Sequence, residues 1–299
     1  MIVLQWFSLI PLSARYMMMS AFGFAFMGVF VKIAGAGGIP VLEIVAARAF
    51  VSLILSYMEI KRKRVAVFGQ RKGLLFARGI VGVTALSCVY YSLVNLPFAE
   101  ATVLQYLHPM FTAVIAFLFL QEKLSLPTLL CIVFSFIGLL FITQPSLLLA
   151  SGEAFPYSSL AVTAAIAGAL GSAVSYALVR KLNATEDSSV IIFYFPMMAL
   201  PLSLIALGDD FVMPSGWMMF VLLMVGLGTQ VGQIGLTKSM QTEKAGKAMS
   251  FSYLQVVFAL LFGVVLFDEI PTFWTLLGAG FIVGGALMNV IYTMVRRGS

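Results

Sequence analysis

The sequence predicts an all-α polytopic membrane protein with ten transmembrane helices as two inverted five-helix repeats. Three observations support this fold class. Of the 299 residues, 61% are hydrophobic and only 10% are charged, and the mean hydropathy is +1.05. Apolar runs recur at the length of a membrane span, and the second half of the chain repeats a pattern of the first half. No water-soluble domain has such a composition, so the lipid bilayer is the expected solvent and partner.

Ten apolar runs approach the ~20 residues that a helix needs to cross a hydrocarbon core about 30 Å thick. Because backbone polar groups find no water in lipid, each run is expected to be helical. The ten predicted spans cover residues 16–34, 42–59, 74–94, 99–120, 126–143, 159–179, 189–207, 216–238, 248–267 and 272–294.

The two halves of the chain share a pattern at an offset of 147 positions. Eleven of the 40 residues from 101 to 140 equal the residue 147 positions later, whereas chance gives about 3 in so apolar a composition. The clearest matches are Tyr106, Leu107, Phe111, Glu122 and Gly138, which recur as Tyr253, Leu254, Phe258, Glu269 and Gly285. Since each copy holds five spans, the second enters the membrane upside down, and inverted repeats are typical of alternating-access transporters.

The duplication divides the chain into five parts. The first part is apolar but too short to span a bilayer, so an interfacial position is expected. The linker between the repeats contains Pro, Gly and Ser. The expected boundaries are an N-terminal interfacial segment at 1–13, a first repeat at 14–143, a linker at 144–158, a second repeat at 159–294 and a C-terminal tail at 295–299.

The basic residues indicate the orientation in the membrane. Fifteen of the 18 Lys and Arg residues fall in alternate loops or near the chain ends, all on one side, leaving only Lys32, Arg48 and Arg78. By the positive-inside rule that side is cytoplasmic, so both termini are expected in the cytoplasm and the protein in the inner membrane. This topology explains the pI near 9.4, and no nucleic-acid partner is expected.

A family resemblance is carried by two segments, YYSLVNLPFAEATVLQYLHPMFTAVIAFLFLQEKLSLPTLLCIVFSFIGLLFIT and TKSMQTEKAGKAMSFSYLQVVFALLFGVVLFDEIPTFWTLLGAGFIVGGAL. Their succession of a small-residue turn, an apolar helix with a glutamate at its end and a glycine-bearing helix resembles the repeat of the EamA-type branch of the drug/metabolite transporter superfamily. The resemblance implies a helical transporter of five plus five spans and names no cargo. Val256 stands where the first copy has Pro109, so any bend at that depth is expected to be asymmetric.

Polar side chains at mid-depth of a span usually face a cavity or another helix. Three predicted spans carry them on one helical face, and tyrosines nearby are expected to add aromatic walls. These residues are Thr102, Gln105, His108 and Thr112 on the fourth span, Thr229, Gln230, Gln233 and Thr237 on the eighth, Ser252 and Gln255 on the ninth, and Tyr90, Tyr91, Tyr106, Tyr176 and Tyr253. We expect spans 3, 4, 8 and 9 to surround one substrate site and spans 5 and 10 to pack outside. Hydrogen bonding between helices is the alternative role.

Ionisable residues inside the predicted spans are few. His108 is the only histidine, and an ionisable group at this depth indicates cargo binding or proton handling, with a structural hydrogen bond as the alternative. Arg48 suits an anionic cargo, and a snorkelling side chain or a pair with Glu43 is the alternative. Arg78, near the cytoplasmic end of its span, is expected to be an interface anchor. The acidic residues all lie in loops or near helix ends, which disfavours an antiporter of cationic drugs.

Together these features predict a secondary transporter without catalytic residues, cofactor or metal. The expected substrate is a small polar or amphipathic metabolite, such as an amino acid or related carboxylate, and family analogy favours export. One alternative is a carrier or exchanger of a larger nucleotide-like or adenosyl metabolite that stacks on the tyrosines. The other is an integral-membrane enzyme, which a single histidine without an acidic partner at its depth disfavours. A homodimer stays open.

Overall fold

The structure is a computed structural model that describes residues 10–95, 104–121, 125–142, 158–267 and 273–298. Over these residues every regular element is an α-helix. In chain order they are α1 (Leu12–Ala36), α2 (Val41–Lys63), α3 (Lys72–Asn95), α4 (His108–Phe119), α5 (Leu126–Ile142), α6 (Ser159–Leu182), α7 (Ser188–Leu207), α8 (Gly216–Thr242), α9 (Ala245–Met249), α10 (Leu254–Phe267) and α11 (Phe273–Gly298).

Seven helical stretches are long and apolar enough to cross a membrane. They are Leu12–Ala36, Val41–Lys63, Lys72–Ser92, Ser159–Leu182, Ser188–Leu207, Gly216–Thr242 and Lys247–Leu266. Three shorter apolar helices add to them, at His108–Phe119, Leu126–Phe141 and Leu276–Gly285. A chain with so many apolar helices is a multi-pass membrane protein.

The 147-residue offset seen in the sequence recurs in the positions of the helices. Helices α1, α2 and α5 begin at residues 12, 41 and 126, and their counterparts α6, α7 and α11 begin at residues 159, 188 and 273. Each start is 147 positions after the first. The same local sequence pattern therefore produces the same succession of helices in both halves.

Helix packing follows the exchange of the two halves. Helix α1 packs on α8 as α6 packs on α3, α1 packs on α10 as α6 packs on α4, and α2 packs on α8 as α7 packs on α3. Two further pairs, α2 with α7 and α5 with α11, join counterpart helices to each other. When the repeats are exchanged, the first three pairs turn into their partners in the set and the last two pairs turn into themselves. This is the packing of a pseudo-twofold arrangement.

Counterpart helices run in opposite directions. At one end of the bundle the Ser239 hydroxyl donates to the Ser13 carbonyl at 2.8 Å, and the Asn183 amide donates to the Thr237 carbonyl at 3.1 Å. Helix α1 thus begins at the end of the bundle where α6 and α8 end. We call this the basic end, because the Lys and Arg residues in the last turns of α2 and α6 lie there. At the opposite end Glu43, near the start of α2, accepts a hydrogen bond from the Val212 N–H at 3.0 Å.

Glycine allows a close contact between the halves where α1 crosses α8. A Cβ atom on Gly23 would stand 2.6 Å from the Gly232 nitrogen and 2.9 Å from the Gly228 oxygen, both of them backbone atoms. Small residues at a crossing let helix backbones approach, which is the usual way membrane helices gain van der Waals contact. This crossing therefore depends on the absence of a side chain at Gly23.

The predicted fourth and ninth spans are interrupted in the structure, whereas the sequence predicted continuous helices. The first copy leaves the helix at residues 106–107, and the second leaves it at residues 250–253. Both copies break at corresponding depths, over two residues in the first and four in the second, so a break is not confined to the copy that has Pro109. In the first copy Pro109 has no N–H for the Gln105 carbonyl, and Nδ1 of His108 lies 3.1 Å from that oxygen instead.

The second copy breaks without a proline. The Ser250 hydroxyl donates to the Lys247 carbonyl at 2.8 Å, and the Ser252 hydroxyl donates to the Met249 carbonyl at 2.7 Å. The backbone hydrogen bonds that follow join residues three apart, as in a 3₁₀-helix; one runs from the Val256 N–H to the Tyr253 carbonyl at 3.0 Å. Serine hydroxyls that occupy backbone carbonyls compete with regular α-helix, so two serines here act where Pro109 acts in the first copy.

The repeats are also tied together at the basic end. Glu186 is buried and its Oε1 accepts hydrogen bonds from the backbone N–H groups of Gln70, at 2.7 Å, and Arg71. Beside it Lys63 forms an ion pair with Asp187 at 2.9 Å. Partial burial alone would raise the pKa of Asp187, but hydrogen bonds from Ser189 and Lys63 and the charge of Lys63 hold that pKa below its usual value.

Candidate functional site

A cavity of about 110 Å³ lies between the two repeats. It is lined by Phe24, Met27, Arg48, Arg78, Gly82, Ala85, Leu86, Val89, Tyr90, Gln105, Tyr106, His108, Ser172, Ser175, Tyr176, Phe195, Gln233 and Gln255. Among the described residues none of this lining comes from α5 or α11, as expected for spans 5 and 10. The expectation that spans 3, 4, 8 and 9 enclose the site was incomplete, because α1, α2, α6 and α7 also line it.

Arg48 projects from α2 and is only 3% exposed. Its Nη1 donates to the Tyr90 hydroxyl of α3 at 3.1 Å and approaches the Met27 sulfur at 3.9 Å, while its Nε has no hydrogen-bond partner. Glu43 lies one and a half turns earlier and bonds to Val212 instead. The alternative of an Arg48–Glu43 pair is therefore wrong, because the two side chains engage different partners.

Arg78 projects from α3 and is 2% exposed, so the expectation of an interface anchor is wrong. Its Nη2 donates to Oε1 of Gln233 on α8 at 3.3 Å, and its Nε and Nη1 have no partner. The position is six residues into the helix, about 9 Å from its start. At that depth Phe195 of α7 and Gln233 of α8 contact the guanidinium, which a count along the sequence does not reveal.

The two guanidinium groups share the ring of Phe195 on α7. The Cζ atom of Arg48 lies 5.4 Å from the ring centroid, and that of Arg78 lies 4.9 Å from it. A desolvated cation–π contact contributes about 2 kcal/mol, whereas removing a charged side chain from water costs several kcal/mol. Among the described residues neither arginine forms an ion pair. The larger effect is the desolvation cost, so the cavity has an electrostatic preference for a negative group.

His108 lies where the fourth span resumes as α4. Its ring is 5.7 Å from that of Tyr106 and 5.4 Å from that of Tyr176, measured between centroids. Because the Gln105 carbonyl can only accept a hydrogen bond, Nδ1 carries the hydrogen in that 3.1 Å contact. The neutral ring then leaves Nε2 as an acceptor at the cavity. The structural hydrogen bond thus uses one ring nitrogen of a side chain that also lines the cavity.

Sixteen residues were expected at the substrate site, counting Arg48. Thr102 lies outside the described residues, and Thr112 and Thr237 are buried outside the lining. Eight of the other thirteen, which were predicted to bind substrate, line the cavity. They come from six different helical segments, so the structure brings together residues up to 207 positions apart, from Arg48 to Gln255. The eight are Arg48, Tyr90, Gln105, Tyr106, His108, Tyr176, Gln233 and Gln255. The predicted stripes on the fourth and ninth spans meet here through the two helix breaks.

The other five predicted residues lie outside the lining. Tyr91 is 42% exposed, because it follows Tyr90 by one residue and a helix turns about 100° between neighbours. Thr229 and Gln230 are buried within α8, which is covered by protein on several sides. Ser252 donates to its own turn at Met249, and Tyr253 stacks on Tyr106 at 6.1 Å between centroids.

Sequence reasoning missed several lining residues. Ser172 and Ser175 share a face of α6 with Tyr176, and this spacing of three and four residues was a signal in the sequence. Phe195 directly precedes Pro196, one of two prolines inside α7, which also marks an irregular helix. No local pattern indicated Phe24 and Met27, which line the cavity through the packing of α1. The described residues contain no group of three His, Cys, Asp or Glu side chains that could hold a metal ion.

Comparison with known proteins gives a family match over both halves. The sequence model of the EamA-like transporter family matches residues 12–144 and again residues 159–291. Two matches in one chain agree with the duplication seen at the offset of 147 residues. The resemblance found in the two quoted segments is confirmed by this match.

Curated relatives align along most of the chain. Solute carrier family 35 member G1 of Homo sapiens is 33% identical over 92% of this chain and 76% of its own length. The mouse protein of that name is 31% identical over 93% and 76%. The pseudopaline exporter CntI of Pseudomonas aeruginosa is 29% identical over 89% of this chain and 91% of its own. All three names describe transport proteins.

A solved crystal structure has the same fold. Its TM-score is 0.76, and the superposition covers 94% of this chain and 99% of the other at 18% sequence identity. At that identity the likeness concerns the arrangement of the helices alone. The fold is thus one that occurs in a protein of distant sequence.

Proposed function

Because the chain belongs to the EamA-like transporter family and is a multi-pass membrane transporter, we propose that it moves a small carboxylate-bearing metabolite, such as an amino acid, by alternating access. The observation that carries this proposal is Arg48, a buried guanidinium with a free Nε in a cavity between the repeats. Arginine binds carboxylates through charge-assisted hydrogen bonds. Tyr90 and His108 add a hydroxyl and a ring nitrogen for orientation.

The proposed membrane arrangement is ten spans in two inverted repeats, with the boundaries predicted at 14–143 and 159–294. Antiparallel counterpart helices and symmetric helix packing support it. With the basic end in the cytoplasm, both termini lie on the cytoplasmic side of the inner membrane. The fourth and ninth spans are discontinuous near Tyr106 and Ser252, as in transporters whose discontinuous helices form the binding site. Rocking of one repeat against the other would then open the cavity to each side in turn.

The proposed direction is export. One relative is named an exporter, and it aligns with 89% of this chain. A larger adenosyl cargo that stacks on the tyrosines is the alternative.

Transport of labelled solutes by the purified protein in proteoliposomes tests the proposal. Vesicles loaded with unlabelled amino acids or organic acids should accumulate the labelled form by exchange, and protein-free vesicles should not. The Arg48→Gln variant should lose this exchange while reconstituting in equal amount. Exchange of cationic or neutral solutes with no exchange of any carboxylate would contradict the proposed cargo.

A further inference from the structure

The cavity contains a second buried cation that one carboxylate does not satisfy. We propose that the cargo carries two anionic groups, one bound by Arg48 and the other by Arg78; this refinement rests on the proposed transport of carboxylates. The two arginines come from neighbouring helices, α2 and α3, and both lie over the ring of Phe195. Their Cζ atoms are therefore no further apart than the sum of those two distances.

The arginines form two separate binding points. Arg48 is held by the Tyr90 hydroxyl at 3.1 Å and keeps Nε free, while Arg78 is held by Gln233 at 3.3 Å and keeps Nε and Nη1 free. Each side chain is thus fixed in place by one neutral partner and retains donors for another. Fixed guanidinium groups with free N–H donors are suited to carboxylate recognition.

The charge balance favours a dianion over a simple amino acid. An amino acid with one carboxylate also brings an ammonium group, and the described lining contains no Asp or Glu to receive it. Such a zwitterion would leave the net charge of the two arginines unchanged. A dicarboxylate neutralises both guanidinium groups and removes the repulsion between them. The cargo class that fits is an organic acid with two carboxylates a few carbon atoms apart.

Thermal unfolding of the purified full-length protein with matched ligands tests this inference. The probes are the dicarboxylates from malonate to adipate, each compared with its own monoamide, which has the same length and one charge less. At the preferred chain length the dicarboxylate should bind about tenfold more tightly than its monoamide, since one charge-assisted contact distinguishes them. Arg78→Met should remove this preference, because it weakens binding of the dicarboxylate more than binding of the monoamide. Arg62→Met, an exposed arginine on the helix that carries Arg48, is the matched control.

The ligand-free protein provides a second readout. Because Arg78 is buried without an ion pair, Arg78→Met should melt at the same or a higher temperature than the wild type. Where Arg78→Met does not fold, Arg78→Lys keeps the charge, and the dicarboxylate preference should persist at lower affinity. Equal binding of diacid and monoamide, or a preference retained in Arg78→Met or lost in Arg78→Lys, would overturn the inference and leave carboxylate transport standing. Absence of binding and of vesicle exchange for every carboxylate would instead overturn the proposed function.

Discussion

Arg48 in the first repeat and Phe195 in the second occupy counterpart positions, 147 residues apart, and both line the cavity. Two other ionisable residues of the first repeat also have uncharged counterparts in the second. His108 corresponds to Gln255, and Arg78 corresponds to Val225, which is buried in the apolar core. The first repeat thus contributes both arginines and the histidine, while the second contributes amides, hydroxyls and an aromatic ring.

The two repeats share their helix packing but differ in the side chains that they contribute to the cavity. Helix pairs such as α1 with α8 and α6 with α3 repeat because packing must be satisfied in both halves. A single shared cavity needs only one set of charges, so a second arginine at position 195 would add repulsion without a new site. The helix packing is therefore symmetric between the repeats, whereas the charged side chains of the described cavity lining come from one repeat only.

The largest expected effect follows from removing a charge that only one repeat supplies. Arg48→Gln should reduce carboxylate exchange in proteoliposomes by about 10- to 100-fold, because a hydrogen bond to a charged group contributes about 1.5–3 kcal/mol. Its counterpart variant Phe195→Leu should cost less, on the order of threefold to tenfold, from the lost cation–π contacts. Arg62→Gln should match the wild type. A larger loss in Phe195→Leu than in Arg48→Gln would contradict the main role given to the Arg48 charge.

The pair His108 and Gln255 tests whether both repeats contact the cargo. His108→Ala and Gln255→Ala should each lower the exchange rate by about tenfold or less at unchanged surface expression, the loss of one hydrogen bond each. Proton coupling is a separate question. His108→Gln keeps a hydrogen-bonding group but removes titration, so proton coupling through this ring would appear as a pH profile of transport that differs from the wild type. An unchanged profile would eliminate proton coupling through this ring.

The glycine crossing between the repeats should influence stability more than transport. Gly23→Ala places a Cβ atom against the backbone of Gly232 and Gly228, so the helices must separate, at about 1–3 kcal/mol. Gly28→Ala is the matched control on the same helix, because its Cβ meets nothing within 4 Å. Melting temperatures should fall for Gly23→Ala and stay level or rise for Gly28→Ala. Equal melting temperatures of the two variants would show that α1 and α8 are not closely packed.

The smallest effects on stability are expected at the basic end, where partly exposed side chains connect the two repeats. Glu186→Ala leaves two backbone N–H groups without their acceptor and should cost about 1–3 kcal/mol. Lys63→Ala removes a half-exposed ion pair with Asp187 and should cost about 1 kcal/mol at most. Denaturation monitored by tryptophan fluorescence would rank the two variants. The reverse order would mean that the ion pair, not the loop contact, holds this end.

The scaffold could be predicted largely from sequence, because its signals are local and repeated. Apolar runs of span length and one constant offset located the helix starts of both halves. The break in the second copy was missed because its cause is a pair of serine side chains, which also occur within continuous helices. Pro109 suggested a bend in one copy, but the serine hydroxyls at Ser250 and Ser252 that cap carbonyls in the other have no such visible signal.

The site was predicted less completely, since lining a cavity depends on which face of each helix is left uncovered. Polar stripes identified Gln105, His108 and Gln233 correctly as lining residues. They also included Thr229, which protein covers on all sides. Arg78 was misplaced because distance along the chain from a loop does not give the depth of burial under neighbouring helices.

Two copies of opposite orientation around one cavity form the central claim, and side-specific labelling tests it most directly. In a protein whose Cys88 and Cys131 are replaced by alanine, Lys63→Cys and Asp209→Cys introduce single thiols at the ends of α2 and α7, which are counterpart helices. A membrane-impermeant maleimide applied to intact cells should label Asp209→Cys at once and Lys63→Cys only after permeabilisation. Reaction of both thiols from the same side would contradict the inverted arrangement.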